Sequence, residues 1–144
     1  MGYSRAVKEA APAKLLVVEG EPDLLRLLVH ILGAAGFNVI QAYGGEDALR
    51  KIKLHHPDLI VTDLAMPRMS GVEIIERVKH DPETQAIPCI AVTAYMWDQI
   101  ASAANEAGCD GFVPKPFTGP RLLQEIAKFV PLPGKVRATG PATR

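Results

Sequence analysis

Short apolar runs alternate along this chain with longer segments whose hydrophobic residues recur every three or four positions. Leu15-Leu16-Val17-Val18 is a continuous apolar run and reads as a strand buried on both faces. Pro22 and Asp23 open a helical stretch in which Leu24, Leu25, Leu28, Ile31, Leu32 and Ala35 share a face, and Gly36 stops it. Residues 38–42 form a weaker strand. Residues 46–54 form a helix with Ala48, Leu49 and Ile52 inward. Leu59-Ile60-Val61-Thr62 is the next buried strand, followed by a helix over 72–79 with Ile74, Ile75 and Val78 inward. A strand over 88–92 precedes a helix over 98–107, with Ile100, Ala103, Ala104 and Ala107 on one side. A short strand ends at Phe112-Val113. The last helix covers 119–130, with Leu122, Leu123, Ile126 and Val130 inward.

Five strand–helix repeats imply a parallel sheet with helices on both faces and right-handed crossovers. The predicted class is α/β, a flavodoxin-like (βα)5 doubly wound sheet of order 2-1-3-4-5. A closed (βα)8 barrel needs about 250 residues, and the chain has 144. One domain is expected over residues 14–130. Residues 1–13 lack periodicity, and PLPGKVRATGPATR at 131–144 holds three Pro and two Gly. Both ends read as flexible tails.

Chemistry enters through position. Val17-Val18 hands over to Glu19, Val61-Thr62 to Asp63, Ala91-Val92 to Thr93, and Phe112-Val113-Pro114 to Lys115. The carboxyl ends of parallel strands lie along one edge, where ligands bind in open α/β sheets. Glu19, Asp63, Thr93 and Lys115 are therefore expected to converge in one shallow cleft. Two close carboxylates attract a hard cation such as Mg²⁺. A cation beside Asp63 also neutralises an incoming phosphoryl group, and an aspartate carboxylate can attack phosphorus. The Thr93 hydroxyl and the Lys115 ammonium suit the phosphoryl oxygens.

These residues stand in a specific set of motifs: LLVVEGEPD at 15–23, VTDLAMPRMSG at 61–71, VTAY at 92–95 and GCDGFVPKPF at 108–117. In order and spacing the chain resembles the receiver domain of two-component response regulators throughout 14–130. The resemblance implies that Asp63 accepts a phosphoryl group from a phosphohistidine of a sensor kinase or phosphotransfer protein, with Thr93 and Lys115 contacting that group. It implies Mg²⁺ held by Glu19, Asp63 and the backbone carbonyl of Ala65. It also implies a switch through Thr93 and Phe112, and an output face on the fourth helix, fifth strand and fifth helix. The Lys115–Pro116 bond is a candidate cis peptide. Tyr95 and Trp97 are expected at the cleft rim as partner contacts, since aromatics favour interfaces.

One departure matters. The family usually carries two adjacent acids after the first strand, and here the pair is Glu19-Gly20. Loss of the second acid weakens attraction for Mg²⁺. Two readings stay open: a weakened but working site, or a degenerate receiver that acts as a phosphorylation-independent docking module. Ala65 and Tyr95 occupy positions that in the family orient attacking water. Neither is suited to it, so slow autodephosphorylation is expected.

Composition narrows the alternatives. Lys plus Arg and Asp plus Glu each number 16, which argues against a general nucleic-acid binder or a polybasic membrane anchor. Within 14–130 there are 11 basic and 15 acidic side chains, a balance of −4 offset by basic ends. The N-terminus lacks the apolar segment of a secretory signal, so a cytoplasmic signalling protein is expected rather than a membrane one. Cys89 and Cys109 read as mostly buried thiols. Asp58, Asp81 and Asp110 read as turn and cap residues. P-loop and GxSxG motifs are missing, and no general acid stands two residues after Asp63, so an enzyme reading is the weakest.

Overall fold

The computed structural model describes residues 11–94 and 98–134. Five parallel strands, β1 (Lys14–Val18), β2 (Asn38–Ala42), β3 (Leu59–Thr62), β4 (Cys89–Thr93) and β5 (Gly111–Pro114), form one sheet of order β2-β1-β3-β4-β5. Between and after them come α1 (Pro22–Ala34), α2 (Gly45–His55), α3 (Gly71–His80), α4 (Gln99–Ala107) and α5 (Gly119–Ile126). This is the expected flavodoxin-like arrangement.

Strand periodicity divides the core in two. Leu15, Val17, Leu59, Val61, Ile90, Val92 and Val113 face α1 and α5, meeting Leu25, Leu28, Leu32, Leu122 and Ile126. Leu16, Val18, Ile60, Cys89 and Ala91 face the other way, meeting Ile52, Ile74, Ile75, Val78 and Ala104 of α2, α3 and α4. Both faces of β1, β3 and β4 are thus covered, which is why those strands read as unbroken apolar runs. β2 lies at the edge and is only partly buried.

Every helix but α2, whose N-cap is Gly44, starts at a residue whose side chain accepts from a free N–H of the first turn. Glu21 accepts from the Leu24 N–H at 2.8 Å, with Pro22 in the first turn of α1. Ser70, Asp98 and Thr118 cap α3, α4 and α5 in the same way. Gly36, at φ 99, turns the chain out of α1 in a conformation that disfavours other residues.

Several expectations shift. The last helix ends at Ile126, not at residue 130. Residues 127–130 continue as tight turns, with Phe129 N–H on the Ile126 carbonyl at 2.9 Å. In α4 Ile100, Ala104 and Ala107 pack inward as expected, Ala101 joins them, and Ala103 is exposed. Alanine differs too little from its neighbours in hydrophobic area to set a helix's rotation from sequence. Within the segment expected as a C-terminal tail, Leu132 packs on the core and Pro133 lies over Gly36. The tail segments 1–10 and 135–144 lie outside the described residues. Among the described residues no helix is long and apolar enough to cross a membrane.

Candidate functional site

The site residues sit one step past their strands, still tied to the neighbouring strand's last carbonyl. The Glu19 N–H donates to Ala42 O (3.2 Å), Asp63 N–H to Val18 O (3.0 Å) and Lys115 N–H to Thr93 O (2.9 Å). The sheet's staggered ladder therefore fixes where these side chains leave the backbone. They line a cleft of about 460 Å³ with Gly20, Glu21, Pro22, Leu24, Ala65, Met66, Pro67 and Ala94.

Lys115 is the hub. Its Nζ lies 3.3 Å from Glu19 Oε1 and 3.4 Å from Asp63 Oδ2. The other Glu19 oxygen accepts from the Glu21 N–H at 3.1 Å, and the other Asp63 oxygen faces the Ala65 N–H at 3.4 Å. Each carboxylate oxygen of Glu19 and Asp63 thus meets a protein donor. Glu19 is 2% exposed and Asp63 8%. Burial pushes the Glu19 carboxyl above its ordinary range. The Glu21 N–H pulls it back, the Asp63 charge pushes it further up, and Lys115 offsets part of that. One ammonium shared by two buried acids leaves an excess negative charge, so the lysine cannot fully compensate their desolvation.

Three of the four strand-end residues thus meet directly. The fourth, Thr93, is fully buried at the end of β4, next to Ala94 on the cleft wall. Phe112 is half-buried on β5 and packs with the core on the α2–α3–α4 side, away from the cleft lining. The Lys115–Pro116 peptide is cis. Tyr95 and Trp97, expected at the rim, lie outside the described residues. Glu21, whose carboxylate caps α1, does not stand in for an acid at Gly20.

Gly71 closes the VTDLAMPRMSG motif, but what it does there was not legible in the sequence. Gly71 donates its N–H to Leu64 O at 2.9 Å, and a Cβ there would fall 2.1 Å from the Asp63 carbonyl oxygen. The loop carrying Asp63 folds back on the start of α3 so closely that only glycine fits. A glycine at a helix start is too common to single out without that contact.

The Glu19 and Asp63 carboxylates that line the cleft are hard oxygen donors of the kind Mg²⁺ takes. The donor set is one acid short at Gly20. Among the described residues no cluster of three or more His, Cys, Asp or Glu side chains is arranged to hold a metal.

A family model for the response regulator receiver domain matches residues 15–127. The polar-differentiation response regulator DivK of Brucella ovis is 32% identical over 116 residues, covering 81% of this chain and 94% of that protein. The chemotaxis protein CheY4 of Vibrio cholerae superposes with a TM-score of 0.79 at 28% identity, covering 83% of this chain and all of that one. The receiver domain of sensor histidine kinase PA1611 from Pseudomonas aeruginosa shares the fold at 23% identity and a TM-score of 0.78, covering 83% of this chain and 98% of its own. Its structure is described with a magnesium ion coordinated in the active site cleft.

Proposed function

The chain belongs to the response regulator receiver family, and on that premise we propose that Asp63 accepts a phosphoryl group and that the added charge switches partner binding. Receiver domains are signalling modules that work with histidine kinases and downstream proteins. The observation that carries the proposal is the Asp63 carboxylate held 3.4 Å from the Lys115 ammonium at the carboxyl edge of the sheet.

An Asp63 carboxylate oxygen attacks phosphorus of a partner's phosphohistidine. The P–N bond breaks and the imidazole leaves with a proton. Lys115 holds the carboxylate for in-line attack and then meets a phosphoryl oxygen, because its ammonium already reaches Asp63. Thr93, at the next strand end, supplies a hydroxyl to another oxygen. Glu19, Asp63 and the Ala65 carbonyl would hold Mg²⁺, which when bound neutralises charge on the transferring group. The acyl phosphate carries a charge of about −1.5 to −2 where the carboxylate carried −1, which draws Thr93 and Lys115 inward. The change is read on the face built by α4, β5 and α5, through Phe112. Ala65 presents only a methyl group beside Asp63, so the acyl phosphate decays slowly. Action in the cytoplasm, without direct binding to nucleic acid or membrane, completes the proposal.

The test is mass spectrometry of the chain incubated with Mg²⁺ and acetyl phosphate or a phosphorylated histidine kinase. One phosphoryl mass gain is expected, absent in Asp63→Ala and outlasting minutes after donor removal. No gain from either donor would overturn the proposal and leave phosphorylation-independent docking. A half-life of seconds would overturn the slow-decay part alone.

A further inference from the structure

We infer that Lys115, rather than a divalent ion, is the resident cation of this cleft, and that Gly20 is the residue that leaves it so. The inference deepens the reading of the site as a receiver centre, but it rests on the accounting of oxygens around Glu19 and Asp63.

A metal entering this cleft must compete with a protein donor for each oxygen of Glu19 and Asp63. One oxygen of each acid faces the Lys115 ammonium, at 3.3 and 3.4 Å, and the remaining two face the N–H groups of Glu21 and Ala65. Divalent affinity follows the number of anionic ligands. Two acids shared with an ammonium present a net charge of −1 to an incoming ion. A third acid would present −2 and a donor that Lys115 does not hold. Glu21 has one carboxylate oxygen engaged in capping α1, at 2.8 Å from the Leu24 N–H.

The place for a third acid exists. A Cβ at Gly20 would meet nothing closer than the Tyr43 carbonyl oxygen at 3.7 Å and Met66 Cγ at 4.0 Å, both ordinary contacts. Gly20 also lines both this cleft and the neighbouring groove of Tyr43, Glu46, Met66 and Arg68. Nothing in the packing demands glycine there. A Cβ at position 20 is accommodated at the rim of this cleft, next in sequence to Glu19, so the low metal affinity traces to this one side chain.

Isothermal titration of Mg²⁺ into the full unphosphorylated chain tests this. Gly20→Asp is expected to bind Mg²⁺ about tenfold or more tighter than the natural chain, since it adds one anionic ligand. Gly20→Ala, which fills the same space without a donor, is expected to match the natural chain. Lys115→Met is expected to tighten binding as well, because the ion no longer competes with an ammonium. The inference is overturned if Gly20→Asp stays within about twofold of the natural chain, if Gly20→Ala tightens binding equally, or if Lys115→Met weakens it. Thermal melts of each variant without metal confirm that folded chains are compared. These affinities are read without phosphorylation. A chain that never gains a phosphoryl group but follows this order overturns the proposed function alone. Normal phosphorylation with the order reversed overturns the inference alone.

Discussion

At the scale of single residues, close approach decides more than residue type. Gly71 is held against the Asp63 carbonyl, so Gly71→Ala forces backbone apart in the loop that carries the phosphoacceptor. It is expected to destabilise the chain by about 1–3 kcal/mol, the usual cost of overpacking, and to slow phosphoryl gain at Asp63. Urea unfolding and the mass assay check the two effects; an unchanged midpoint would contradict the contact. The thiols offer a pH-dependent case. Burial pushes Cys89 up to about 12 and raises Cys109 as well. A raised thiol stays protonated in the folded chain at pH values where an unfolded thiol ionises, so folding suppresses the reactive thiolate. Iodoacetamide at about pH 8 should label neither cysteine in the native chain and both in denaturant. Rapid native labelling of Cys89 would show that β4 is not closed as described.

Among elements, the strands were legible and the helix faces only partly so. Leu15–Val18 and Leu59–Thr62 carry runs that only a doubly covered strand explains, and both are fully buried. α4 is the counter-case. Its alanines made Ile100, Ala103, Ala104 and Ala107 look like one face; Ile100, Ala104 and Ala107 do pack on the core, but packing against α3 buries Ala101 with them and leaves Ala103 exposed. Ala103→Lys should therefore change stability by less than about 0.5 kcal/mol, as surface substitutions do, and Ala104→Lys should cost upwards of about 3 kcal/mol by burying an unpaired charge. Equal effects in chemical denaturation would mean the helix is rotated. α5 shows a polar surprise of the same origin. Glu125 is buried yet paired, with Lys128 at 3.0 Å and Arg121 at 3.3 Å. Spacings of three and four residues were visible in the sequence, but the burial that makes those pairs matter came from packing against β5.

For the whole molecule, the relevant question is where the folded unit ends. Ala13 packs against the core and its carbonyl accepts from the Asn38 N–H, while Leu132 and Pro133 close over the α1 end of the same core. The folded unit is therefore wider than 14–130 at its C-terminal side. A chain cut to residues 11–134 is expected to melt within a degree or two of the full chain, while one cut at 130 is expected to melt several degrees lower, because buried apolar area at Leu132 is lost. Differential scanning calorimetry distinguishes them, and equal melting of both would return the boundary to 130. At this scale too, the site is a product of topology. Strand order β2-β1-β3-β4-β5 sets β1 and β3 side by side and puts β5 two strands beyond β3, and Lys115 spans that gap to reach both acids.

Sequence by itself determined the class of fold, because two-sided burial forces unbroken apolar strands and single-sided burial forces helical spacing. It also determined which polar residues stand at the strand ends, since a polar side chain directly after a buried run has only the sheet's edge to occupy. Tertiary structure alone decided how those groups share their charges. That one lysine holds both acids, and that Gly20 has room for a Cβ beside Tyr43 and Met66, depend on distances between residues far apart in the chain.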